Sequence, residues 1–422
     1  MFRRLRQLFF IFSASVSALA SPLLLHNPSL GKDKIAFSYA DDVWVVSRDG
    51  GEAQRLTSTA SLTAGPFFSP DGNRLAYSAR INGNDDVYVI SAEGGVPRRI
   101  TYHPGQDAVV GWTPDGSQLL FLSGRTAFND FAKLFRISAD GSGLPVEMPL
   151  PSADSGSLSA DGKWIAYTPF NQWQVAWKRY RGGQTEPIWL VNLSTLDLVK
   201  VPRDNSNDKN PMWVGDKVYF LSDRNGPLTL FVYDTKSKTV EQAVENHVFD
   251  LKSADAGPGG IVYEQFGSIH LYDLASKSEH TVNITLRGDL PALEPHVATI
   301  EAQEIRHAAI SPTGARAVFE AHGDIFTVPQ EKGDARNLTN TSSAAERDPA
   351  WSPDGKSIAY FSDASGEYQL FISPQNGIGA KKVIDLGPEP SFFYSPKWSP
   401  DSKRILYGDK KLNIWYVDVD GG

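Results

Sequence analysis

The densest run of charged and aromatic side chains in the sequence is Trp177-Lys178-Arg179-Tyr180-Arg181-Gly182-Gly183. Three cations interleaved with rings, on a chain of net charge −8, suit recognition of a carboxylate or an acidic surface. Guanidinium and ammonium groups make charge-assisted hydrogen bonds to carboxylates, the guanidinium in bidentate fashion. Lys178, Arg179 and Arg181 are therefore candidate contacts for a peptide or for a neighbouring subunit. The same residues on a solvated loop covering the edge of a sheet would need no ligand, and both readings stay open at this point.

Other chemistry is sparse. There is no Gly-x-Ser-x-Gly elbow and no His-Glu-x-x-His pair. Cysteine is absent, which excludes disulfides, thiolate zinc sites and a cysteine nucleophile. Gly377-Ile378-Gly379 lacks a third glycine and sits between strands, and Asp418-Val419-Asp420-Gly421 reads as a turn rather than a calcium loop. The eight histidines are scattered, none at metal-ligand spacing to a carboxylate or a second histidine, so neither metal nor cofactor is expected. The pairs Asp41-Asp42 and Asp85-Asp86 read as loop-closing groups that bond local backbone, with a metal site as the alternative. Phe67, Phe68, Trp112, Trp213, Trp351 and Trp398 recur at one position of a repeat. They pack repeat on repeat or line a channel.

The elements that position these residues are strands. The reference unit, Asp348 to Val383, runs through Ser352-Pro353-Asp354-Gly355 into the alternating strand Lys356–Phe361, then Gln369–Ser373, then Lys381–Ile384. Proline, aspartate and glycine each suit a successive position of a tight turn, and strands joined by such turns form antiparallel meanders. Related marks are Ser69-Pro70-Asp71-Gly72, Thr113-Pro114-Asp115-Gly116, Ser159-Ala160-Asp161-Gly162, Ser311-Pro312-Thr313-Gly314 and Ser399-Pro400-Asp401-Ser402, with degenerate copies near Gly31, Gly215 and Gly259. The spacing, about 40–55 residues, is that of four-stranded propeller blades.

Six units run to Asn283, a segment rich in proline and charge follows, and three more units begin at Arg306. The expected fold is all-β: a six-bladed propeller over 21–284, an inter-propeller segment over 285–305, and about three blades of a second propeller over 306–422. Three blades cannot close a ring, so either a longer chain or a protein partner is expected to complete them. Arg3, Arg4 and Arg6, the apolar run Leu8–Val16 and Ala18-Leu19-Ala20 read as a signal peptide over 1–20. An exported, periplasmic or extracellular protein without a membrane span is expected. Losing three arginines makes the remainder more acidic still, which argues against nucleic acid as a partner.

Several longer strings carry a family likeness: the basic run 177–183, Leu286-Arg287-Gly288-Asp289, Ala309-Ile310-Ser311-Pro312-Thr313-Gly314 through Phe326-Thr327-Val328-Pro329, and Tyr360-Phe361-Ser362-Asp363 with Gly366-Glu367-Tyr368. In these the sequence resembles tricorn protease and its bacterial homologues. The resemblance implies a six-bladed propeller, then a seven-bladed one, with a helical region, a PDZ domain and a serine-histidine catalytic core beyond them. It implies a non-catalytic, substrate-admitting role for these residues in an exported serine peptidase, with peptides as ligands and a homo-oligomeric whole. No catalytic residue carries over. The family's arginine pair that anchors a peptide carboxylate has no counterpart in Tyr102-His103-Pro104-Gly105-Gln106-Asp107. The alternative is a TolB-like periplasmic scaffold that binds a protein partner without peptidase activity.

Overall fold

The computed structural model describes residues 23–420 except 59–60, 82, 173, 175–176, 289, 291–298, 342–343 and 389–390. The leader read in residues 1–20 lies outside the described residues, as do Trp173, Asp289 and Gly421. The described residues form nine sheets, each built on an antiparallel meander of consecutive strands, four in every sheet but the last, which has three. The first strands of the nine are His26–Leu30, Leu62–Phe68, Asp107–Trp112, Ser155–Leu158, Asp208–Val214, Leu251–Gly257, Arg306–Ile310, Glu346–Trp351 and Phe393–Trp398. The fold is that of an all-β propeller, as the repeat predicts.

The turn marks work as their chemistry dictates. Thr113, Ser159, Ser352 and Ser399 each donate a side-chain hydrogen bond of 2.6 Å to the aspartate two residues on. Asp115 also accepts the Ser117 backbone N–H at 3.1 Å, and these bonds hold its carboxyl down at about 2. Gly116 closes its turn at φ +69, in the left-handed region that glycine enters without strain. Ser402 takes the same role at φ +59, which explains how the ninth sheet forms without the glycine.

Apolar residues along the strands give each sheet of the first six two buried faces, and the cores lie between sheets. Phe37 and Trp44 of the first sheet pack against Val262 and Ile269 of the sixth. Ala36 and Val45 meet Leu75 and Tyr77 of the second. Further clusters join the second sheet to the third, the third to the fourth, the fourth to the fifth and the fifth to the sixth. Phe121, Phe220 and Ile261 are wholly buried in them. The six sheets thus form a closed circle of interfaces, and each large side chain so buried contributes about 1.5–3 kcal/mol.

Closure is reinforced at both radii. Inside, Ser29 Oγ donates to Asp255 Oδ2 at 2.7 Å and accepts the Phe68 N–H at 2.9 Å, tying three sheets together. Outside, Ile284–Leu286 adds a fifth, parallel strand to the outer edge of the first sheet, opposite Gly51, Glu52 and Ala53. Thr285 and Leu286 therefore belong to the first sheet rather than to the segment expected to separate the two groups. Gly50 makes this approach feasible, since it sits at φ +88 and a Cβ there would lie 2.4 Å from the Asn283 carbonyl oxygen.

The last three sheets share two buried clusters, centred on Ile325 with Tyr360 and on Phe361 with Tyr407. Their outward faces are bare. Ile310 is 73% exposed at one end, and Ile414 and Tyr416 are 75% and 68% exposed at the other. The corresponding strand of the first sheet, Asp42–Ser47, is buried at all but its last residue.

One recurrent feature has no forerunner in the repeat as read from sequence. The first strand of most sheets bulges at one position, with register shifts between Lys209 and Met212, Arg306 and Ala309, Arg347 and Ala350, and Tyr394 and Lys397. Asn27, Asn210, His307, Asp348 and Ser395 take positive φ there. Proline follows four of these five, as Pro28, Pro211, Pro349 and Pro396. A bulge leaves its residue outside the ladder, and a strand's free edge needs no N–H, so proline is tolerated.

Candidate functional site

The bulged first strands surround a cavity of about 430 Å³. All six sheets of the first group contribute to its wall, among others through Pro28, Phe67, Trp112, Ser157, Asn210 and Asp255. Phe67, Phe68, Trp112 and Trp213 therefore line the cavity and pack sheet on sheet at once. Trp112 Nε1 donates to the Phe67 carbonyl of the preceding sheet at 3.0 Å, and Trp398 Nε1 reaches Ala350 O in the same way at 3.1 Å. Asp255 is half-buried in the cavity wall. Burial pushes its carboxyl up to about 6, against the stabilising bonds from Ser29 and the Leu30 N–H.

The acidic pairs close loops. Asp42 accepts from Arg55 and, at 2.7 Å, from Thr57 Oγ1, while Thr57 receives the Val43 N–H. Asp86 repeats the pattern with Arg99 at 2.6 Å and Thr101 at 3.2 Å, and Asp85 pairs with Arg80. Asp107 and Asp208 are held by Arg125 and Arg224 at 2.6 and 2.9 Å, each arginine lying over two phenylalanine rings. In the loop Tyr102–Asp107 the nearest guanidinium groups are thus committed, Arg125 to Asp107 and Arg99 to Asp86 and the face of Tyr102.

The basic run lies between the two groups of sheets. Trp177 donates its indole N–H to the Tyr394 hydroxyl, with the rings edge to face at 6.4 Å. Lys178 Nζ is 3.3 Å from Glu367 Oε2, and Lys410 Nζ donates to the Lys178 carbonyl. Arg179, at φ +54, stands 3.8 Å from Glu367 and 4.0 Å from Asp250, and its Nη1 has no hydrogen-bond partner although buried. Arg181 turns back to the first group and bonds the Asp223 carboxylate and carbonyl, both at 2.8 Å. Asn207 Nδ2 holds the Tyr180 carbonyl at 3.1 Å. The structure thus brings Lys178 and Arg179 together around Glu367 and places Arg181 apart. Lys410 adds a further cation, whose ammonium burial and Arg179 push below its usual range. Three cations, Lys178, Arg179 and Lys410, thus meet the carboxylates of Glu367 and Asp250 there.

Sequence reasoning missed Glu367, Asp250, Tyr394 and Lys410, which meet the run only through the fold. It also missed Glu186, which follows the basic run. Glu186 is 3% exposed and its Oε2 has no partner. Burial pushes its carboxyl up to about 7, opposed by Lys209 and aided by Asp154 and Asp223. Among the described residues, His307, Glu320 and Asp348 form the one group that could hold a metal ion. No described helix is long and apolar enough to cross a membrane.

Comparisons with known proteins agree with this architecture. A model of the tricorn protease N-terminal beta propeller domain matches residues 22–278, more than half of the chain. The tricorn protease homolog of Saccharolobus solfataricus is 25% identical over 396 residues, covering 93% of this chain and 36% of that protein. Tricorn protease homolog 1 of Streptomyces coelicolor is 26% identical over 418 residues, covering 96% and 38%. In the crystal structure of the tricorn protease, a likeness with TM-score 0.57 at 20% identity covers 95% of this chain and 50% of that one. The chain thus spans little more than a third of these curated relatives. With its sheets, turns and cavity in place, it belongs to the tricorn protease family, of which it carries the N-terminal beta propeller domain.

Proposed function

We propose that this chain is the non-catalytic, substrate-admitting region of an exported serine peptidase of the tricorn kind. The observation that carries the reading is the cavity walled by the first strands of six successive sheets. Its volume, about 430 Å³, is that of a ligand pocket and far below that of a folded domain. An extended peptide advances about 3.3–3.6 Å per residue, so it threads such a space one side chain at a time. Backbone groups at the bulges and the rings of Phe67 and Trp112 offer contacts that do not depend on peptide sequence.

In this reading Lys178, Arg179 and Lys410 attract the carboxylate of a passing peptide at the junction, and Arg181 is a positioning residue that anchors the run to Asp223. The bare faces at Ile310 and at Ile414–Tyr416 are where further sheets or a partner pack. The basic and apolar leader supports export, and the family supports a homo-oligomeric whole. Proteolysis belongs to that whole. The test is fluorescence anisotropy of unstructured peptides with the chain, with a small folded protein of equal charge as competitor. Peptide binding that the folded protein does not displace is expected. Equal binding of both, or of neither, overturns the reading.

A further inference from the structure

We propose that His307, Glu320 and Asp348 form a site for a divalent transition-metal cation at the inner edge of the seventh and eighth sheets. The site is independent of the peptide-admitting role. Sequence spacing hides it, because its members stand on three strands, Arg306–Ile310, Arg316–Ala321 and Glu346–Trp351.

The fold places His307 and Asp348 at equivalent points. Both are bulge residues with positive φ, +49 and +55, on the first strands of adjacent sheets. Asn27 and Asn210 occupy that point in the first group and line its cavity. Glu320 reaches the same spot from the second strand of the seventh sheet, where it pairs with Arg306 in register. One ligand atom from each of the three side chains lies within 4.8 Å of the others. The imidazole Nδ1 is 2.9 Å from Glu320 Oε2, and Nε2 is 2.9 Å from Asp348 Oδ1.

The two 2.9 Å separations use opposite ring nitrogens and are hydrogen-bond lengths; an ion would take one nitrogen and draw the three ligand atoms, which lie within 4.8 Å of one another, to the roughly 3 Å spacing of a coordination shell. Zinc and its first-row neighbours accept a mixed imidazole and carboxylate set, whereas calcium and magnesium prefer oxygen alone. Outer contacts hold both carboxylates and leave Asp348 Oδ1 for an ion. Arg347 Nη1 donates to Asp348 Oδ2 at 2.8 Å, and the Ser395 N–H reaches the same oxygen at 3.3 Å, which leaves Oδ1 to the imidazole. The Asp348 N–H fixes Glu320 Oε2 at 2.6 Å. Two carboxylates, 14% and 4% exposed, thus face one imidazole and one guanidinium. The His307 side chain is 51% exposed, so its ring has room to turn one nitrogen towards both carboxylates. Three protein ligands leave further coordination positions for water or a ligand group. A bound ion would tie the seventh sheet to the eighth across their inner edge.

The test uses the whole chain, stripped with EDTA and titrated calorimetrically with zinc chloride, then manganese chloride, with magnesium chloride as the comparator. One zinc ion per chain is expected, with a rise in thermal midpoint that magnesium does not give. His307→Asn keeps a residue that tolerates positive φ and removes the imidazole, and Glu320→Gln keeps the shape and removes the charge. Each should weaken zinc binding about tenfold or more. Cobalt in place of zinc should give a visible absorption band that both variants lose. The inference is overturned if the wild-type chain binds no zinc or manganese with Kd below about 1 mM. It is also overturned if both variants bind as the wild type does; the three side chains are then only an ion-pair network.

Discussion

Replacing Glu186 by glutamine should make the protein more stable at pH 8 and leave it nearly unchanged at pH 4. The side chain is 3% exposed, and its Oε2 has no hydrogen-bond partner. Burial raises the carboxyl from 4.5 to about 7, even with Lys209 acting against it. A folded-state value above the unfolded one means that the native state holds a proton the unfolded chain has lost. Stability from this group is complete below pH 4.5 and is lost as pH rises through about 7. At about 1.4 kcal/mol per pH unit, the loss comes to about 3 kcal/mol by pH 8. Glutamine is neutral at every pH and avoids that loss. The assay is urea denaturation of wild type and Glu186→Gln, followed by tryptophan fluorescence, at pH 4 and pH 8. A gain at pH 8 with little difference at pH 4 is expected. A difference of the same size at both pH values would refute the reasoning, because it would have nothing to do with the charge.

Other perturbations test other parts of the account. Ser29→Ala removes the hydroxyl that joins Asp255 to the Phe68 N–H and should cost about 1–3 kcal/mol in the same denaturation assay, since the Phe68 N–H loses its partner and the Asp255 carboxyl keeps only backbone donors. Phe220→Ala empties a wholly buried site between the fourth and fifth sheets and should cost about 3–5 kcal/mol. Trp177→Ala removes the indole that bonds Tyr394 and meets its ring edge to face, and should cost about 1–2 kcal/mol in the same assay. Ile414→Ser with Tyr416→Ser should reduce concentration-dependent association in sedimentation velocity, because these side chains, two apart on one strand, are 75% and 68% exposed on a bare sheet face.

The sheets were legible because their signals are local. Ser352-Pro353-Asp354-Gly355 and its relatives act within six residues, and Lys356–Phe361 alternates at the period of a strand. The buried pairing of Phe37 with Val262 was implied only in outline, since any ring must bring its first and last sheets together. The fifth strand at Ile284–Leu286 was not legible: it pairs with residues more than two hundred positions earlier, and its three residues carry no alternation of their own. The basic run stood out by composition, yet its partners Glu367 and Asp250 are remote in sequence and ordinary in context. The bulges left a trace in Asn27-Pro28, Asn210-Pro211, Asp348-Pro349 and Ser395-Pro396. That trace, two or three residues before the aromatic position, was the one available pointer to the residues facing the axis.

The central claim is that peptides enter the cavity between the first strands. Its most direct test is a Val110→Trp variant, which places a large side chain on the cavity wall. Anisotropy titrations would compare it with the wild type, using one labelled unstructured peptide and circular dichroism to confirm the fold. The account predicts that the variant binds the peptide at least about tenfold more weakly, a loss of about 1.4 kcal/mol. Unchanged affinity in a folded variant would contradict it and move peptide recognition to another surface.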